Sequence, residues 1–76
     1  MSLESQIREI LDNFQDTSSE KILEILNQIK PQFKNNLTSE YLQGKIQKIH
    51  KITDKAEKKK QCKGLLPYLD WYLQGL

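Results

Sequence analysis

The chain has almost none of the residues that staple or metallate small proteins. Of its 76 residues one is cysteine, Cys62, and one is histidine, His50. A single cysteine closes no internal disulfide, and one cysteine with one histidine falls short of a four-ligand zinc site unless carboxylates or a second chain complete it. The three glycines stand alone, so there is no glycine-rich loop to cradle a phosphate. No apolar run reaches 18 residues, and "MSLESQIREI" has neither the basic region nor the apolar stretch of a secretory signal. The expectation is a soluble, cytoplasmic protein with no cofactor, no metal, no membrane association and no small-molecule substrate.

A chain of this length buries only about 60% of its unfolded surface, and small chains commonly add disulfides, a metal or a partner to their single core. With the first two lacking, a partner is what remains. The net charge of +2 is unevenly placed. Residues 1–31 carry three cations and six anions, whereas residues 32–76 carry nine lysines and four anions.

What is present is helical periodicity. Leu3, Ile7, Ile10, Leu11 and Phe14 share one face at about 100° per residue, with Ser2 placed to cap and Glu4 on the favourable side of the helix dipole. "DTSSEK" interrupts the pattern, and Thr17 followed by Glu20 has the spacing of a capping box. The second helix carries Ile22, Leu23, Ile25, Leu26 and Ile29, and Pro31 ends it near Lys30. "KNNLTSEYL" is the next turn, with Thr38 as the expected N-cap and Leu37 and Leu42 as a hydrophobic staple. A long third helix is then expected, its stripe formed by Leu42, Ile46, Ile49, Thr53 and Ala56. Gly64 is placed as the residue beyond its end and Pro67 as the first residue of a fourth, running to about Gln74. The reading is one domain, residues 1–76, of the all-α class: a small bundle of three main helices plus a short C-terminal fourth helix.

That fourth helix, within "LLPYLDWYLQGL", is apolar nearly all round. Leu65, Leu69, Tyr72 and Leu76 share a face with Tyr68 beside them, Leu66 and Leu73 lie on one flank, and Trp71 lies on the other. A helix of this kind needs covering nearly all round. Either it inserts centrally among the other helices, or the surface made by Leu66, Tyr68, Trp71, Tyr72 and Leu73 binds a protein partner or a second copy. A third reading makes it the severed core of a longer chain. Tyr and Trp favour the interface reading, because they supply large rigid area with a polar tip.

On the third helix Lys48, Lys51, Lys55 and Lys58 fall within about 80° of one another, opposite the apolar stripe. Such a stripe suits the phosphate backbone of RNA or single-stranded DNA, with Tyr41 as the stacking residue. Against it, Asp54 and Glu57 interleave the lysines, and arginine, the better phosphate fork, is absent from this half. Trp71 joins such a site only if the last helix packs beside the lysines.

Catalysis finds little support in the residues. His50 is a lone imidazole on a helix flank, and no inward-facing carboxylate pair is apparent. Cys62, flanked by Lys58, Lys59, Lys60 and Lys63, is expected to be an exposed thiol whose pKa these cations depress. No catalytic residue is assigned.

"SQIREIL", "ILEILNQIKPQF" and the final aromatic "LLPYLDWYL" follow one another in an order that resembles the small helical subunits of type III CRISPR effector complexes. The resemblance implies a non-catalytic helical bundle that stacks along an effector and helps line a nucleic-acid channel. The sequence departs from that family in "FKNN", where a basic, glycine-containing turn is expected, and no site residues carry over. The main functional expectation is assembly through the C-terminal helix, and the alternative is nucleic-acid binding along the lysines.

Overall fold

Four of the helix starts are set by one short polar side chain each, in a computed structural model that describes residues 2–75. The Ser2 hydroxyl accepts from the Ser5 N–H at 3.1 Å and opens α1, Leu3–Asp12. Ser18 does the same for α2, Ser19–Ile29, accepting from the Lys21 N–H at 3.1 Å. The expected cap, Thr17, is occupied elsewhere: its hydroxyl donates to the Asn13 carbonyl at 2.8 Å and closes a 3-10 turn, Phe14–Asp16. Asn35, and not Thr38, caps α3, Asn36–His50, by accepting from the Leu37 N–H at 2.8 Å. The expected staple does not form, because Leu37 lies inside the helix on its outer face, 75% exposed.

The long third helix is in fact two. α3 ends at His50, and α4, Lys55–Lys63, begins after a corner at residues 51–54. Asp54 makes the break: its Oδ1 accepts from the N–H groups of Ala56 at 2.9 Å and Glu57 at 3.3 Å. A short carboxylate that satisfies two free N–H groups competes directly with helix continuation. Thr53 and Ala56, expected on the apolar stripe, are exposed.

α5, Leu66–Leu73, has Pro67 in its first turn and is followed by Gly75 at φ 83°, the left-handed conformation that glycine adopts without strain. Gly64 ends α4 at φ −65°, so the left-handed role expected of it falls to Gly75. Pro31 ends α2 as expected, and a 3-10 turn, Lys30–Gln32, carries the chain to the buried ring of Phe33. Gly44 has no packing role: a side chain added there would meet open space.

The all-α class holds, with five α-helices and no strand among the described residues. The centre is α2. Ile22, Leu23, Ile25, Leu26 and Ile29 are all fully buried, and α1, α3, α4 and α5 each pack on this helix. It is α2, and not the aromatic last helix, that the others surround. α5 buries Leu69 completely, while Leu66, Tyr68, Tyr72 and Leu73 pack half-buried on the core margin. Each fully buried Leu or Ile contributes roughly 1.5–3 kcal/mol, so α2 alone accounts for the largest share of apolar stabilisation.

α4 presents little apolar surface, with Cys62 its one buried residue. It is held on the rest of the chain by inward-turned lysines. Lys58 meets Glu20 at 3.4 Å, and Lys59 donates to the Thr17 carbonyl and lies 4.6 Å from the centre of the Phe14 ring. The aliphatic stems of such lysines cover apolar surface while their heads reach anions and carbonyls at the edge.

Candidate functional site

α3 and α5 both pack on α2 but hardly on each other. Between them opens a groove of about 640 Å³. Its floor includes the buried Ile49 and Leu65, and its walls include Tyr41 and Ile52 on one side and Pro67, Tyr68 and Trp71 on the other. Lys45 and Lys48 stand along the α3 side. Beyond Trp71 a smaller depression of about 280 Å³ is lined by Phe33, Lys34, Asn35 and Thr38. Trp71 lines both and forms the ridge between them.

The aromatic side chains are locked in sequence. Tyr68 lies edge-on to the buried Phe33 ring at 6.0 Å and edge-on to Trp71 at 5.7 Å. This is the geometry that aromatic pairs prefer, and it anchors Trp71 to the core although the indole is 47% exposed. Burial pushes the Tyr68 phenol above its ordinary pKa, and the Tyr41 phenol facing it adds to the effect. Tyr41 is 58% exposed, with the Lys45 ammonium 5.3 Å from the centre of its ring. The pair pre-positions a cation beside the mouth of the groove.

The charged side chains that line the groove are of one sign, and the carboxylate next to it, Glu57, accepts a hydrogen bond from the lining Gln61 at 2.8 Å. Lys34, Lys45 and Lys48 line the two depressions and no carboxylate does; Glu40 and Asp70 belong to α3 and α5 but line neither. Among the described residues the large exposed apolar side chains are Leu37, Tyr41 and Trp71. Leu37 and Tyr41 are one turn apart, and Lys48 falls in the same sector of about 40° at 100° per residue.

The residues singled out in the C-terminal helix do not form one patch. Tyr68 and Trp71 meet in the groove. Tyr72 faces another hollow with Glu4 and Gln32, and Leu66 a third with Leu11 and Lys63. Leu73 packs against the core. The lysine stripe is also divided, because the helix that was to carry it bends. Lys48 lines the groove, Lys51 sits at the end of α3, Lys55 starts α4, and Lys58 is turned inward onto Glu20 with its side chain only 16% exposed. Lys45, Ile52 and Lys34 were passed over. The off-stripe pair Leu37 and Tyr41, followed by Lys45 and Lys48, was the available signal.

Cys62 is not the exposed thiol expected. It is fully buried, and burial raises its pKa against the opposing pull of the Ser19 hydrogen bond and of Lys58 and Lys59. Desolvation of the thiolate outweighs the neighbouring cations because their ammonium groups are solvated or engaged. His50 is exposed. Among the described residues no group of three or more His, Cys, Asp or Glu is close enough to hold a metal ion, and no helix is long and apolar enough to cross a membrane.

No family model matches this chain, and no curated protein or solved structure is detectably similar to it.

Proposed function

We propose that the chain is a non-enzymatic interaction module that docks a protein partner in the groove between α3 and α5. The observation that carries this is the coincidence of the exposed Tyr41 and Trp71 with a concavity floored by Ile49 and Leu65. Aromatic anchors around a desolvated apolar hollow are what interfaces concentrate their binding energy on. The interface expected of the C-terminal helix thus narrows to its Pro67, Tyr68 and Trp71 edge, with α3 supplying the other wall.

Nucleic-acid binding along Lys48, Lys51, Lys55 and Lys58 is the weaker reading. Its lysines lie on two helices and Lys58 already has a carboxylate partner. Four of the eleven lining residues, Ile49, Ile52, Leu65 and Pro67, are aliphatic and offer no stacking plane.

A photoreactive benzoylphenylalanine placed at position 41, with a control at position 9 on α1, tests the reading in cells that make the protein. A protein adduct formed at position 41 and absent at position 9 is expected. An adduct of twice the chain's own mass would make the partner a second copy. Adducts to RNA or DNA, or equal yields at both positions, would overturn the reading.

A further inference from the structure

The groove has a chemical bias that narrows its occupant. We infer that it receives an acidic amphipathic helix of another protein, an inference that rests on the docking function proposed above. A concave apolar trough between two helices takes a ridge, and the ridge proteins most often offer is the apolar face of a helix. On α3 the residues lining the two depressions run from Thr38 to Ile49, about 17 Å at 1.5 Å per residue, enough to run beside about three turns of such a helix.

Charge selects among helices. The two depressions carry Lys34, Lys45 and Lys48 with no carboxylate in their lining, so a helix flanked by Asp or Glu is attracted and one flanked by Lys or Arg is repelled.

A second copy of the chain meets this specification poorly in either arrangement. A two-fold dimer through the groove would bring Lys45 and Lys48 of both copies into one interface with no carboxylate in its lining to offset them. A head-to-tail contact would bring the face made by α1 and α2, whose exposed charges are Glu4, Glu9, Asp12, Glu20 and Glu24 with Arg8 and Lys21 among them, onto the lysines. Among the described residues that face has no large exposed apolar side chain to fill the trough, since Leu37, Tyr41 and Trp71 all belong to α3 and α5. The apolar anchors and the anions therefore come together on a different molecule.

The test is a titration of the 15N-labelled full chain with two synthetic helical peptides that share one Leu and Phe stripe and differ only in their flanks, Glu in one and Lys in the other. Amide shifts and Trp71 emission are followed together. The Glu-flanked peptide is expected to move the amides of Tyr41, Lys45, Gly64 and Trp71 and to bind about tenfold more tightly, the yield of two or three rim charge pairs. The double variant Lys45→Glu, Lys48→Glu should reverse that order while its circular dichroism stays unchanged. Equal binding of both peptides at the groove would overturn the acidic specification and leave the docking function standing. No shift with either peptide would overturn the inference, and an oligothymidylate moving the same amides instead would remove the docking function with it.

Discussion

Two faces of this molecule pair lysine with an aromatic ring, and they do opposite things. On the α1, α2 and α4 side, Lys59 lies over Phe14 and donates to the Thr17 carbonyl, while Lys58 meets Glu20. Those contacts close a seam and hold a helix that has little apolar surface of its own. On the α3 and α5 side, Lys45 lies beside Tyr41 and Lys48 stands one turn on, and the space between the helices stays open. The number of lysines on each side does not distinguish the faces. What differs is whether the chain itself also supplies the carbonyl and the carboxylate that use them up. A basic stretch with internal partners is structural, and one without them is available to another molecule.

The two faces share α2, so the largest effect comes from removing their common support. Leu26→Ala should lower stability by about 2–5 kcal/mol in urea unfolding, and peptide binding at the groove should be lost as the chain unfolds. The sharpest contrast follows from the aromatic residues. Phe14→Ala, at the closed seam, should cost about 2 kcal/mol, whereas Tyr41→Ala, at the open groove, should stay within about 0.5 kcal/mol. Equal losses in thermal unfolding would mean that the groove is part of the folding core. The lysines should divide the same way, Lys59→Gln costing about 1 kcal/mol and Lys48→Gln almost nothing.

On the open face, Gly44→Ala should raise stability by up to about 1 kcal/mol, because an alanine there gains helix propensity and meets nothing. The smallest effect concerns the seam thiol. Cys62 should react with a disulfide reagent only at the rate of unfolding. Because its folded pKa is raised, its share of stability is fully present below the ordinary thiol value and declines as pH rises through the folded one. Urea unfolding at alkaline pH, with Cys62→Ala lacking that part of the decline, checks the sign. Glu20 runs the other way: held below the usual carboxylate value by its own backbone N–H and by Lys58, it stabilises above that value and stops doing so as pH falls through the lowered one.

Much of this fold was legible where one interaction dominates. The stripe of α2, that of α1 as far as Leu11 and the stop at Pro31 are local matters of spacing and of a missing N–H, and they stand as the periodicity predicted, while Phe14, expected on the first helix, falls in the 3-10 turn after it. The break at Asp54 was not legible, because a capping carboxylate inside a lysine-rich helical pattern looks like one more solvated residue until its N–H partners are known. The exposure of Cys62 was misjudged for a related reason: the sequence neighbours are cations, but the spatial neighbours are the apolar side of α2 and the Ser19 hydroxyl.

The candidate site was legible in its pieces only. Trp71 and Tyr68 were marked by being too many apolar residues for one short helix, and Tyr41 by standing off its own stripe. That they meet across a trough, while Tyr72 and Leu66 face away, depends on how α5 rotates once Leu69 is buried.

By itself the sequence determined the helical class, the identity of the core residues on α1 and α2, the excess of positive charge in the second half and the want of any disulfide framework, since each follows from residue type and spacing along one chain. Only the tertiary structure decided which lysines are engaged, which aromatic residues stay exposed, and that α3 and α5 diverge instead of packing together. Those are questions of which groups find partners at a distance in sequence. The answer turns on the few side chains, Asp54, Lys58, Lys59 and Leu69, that direct α4 and α5 back onto α2.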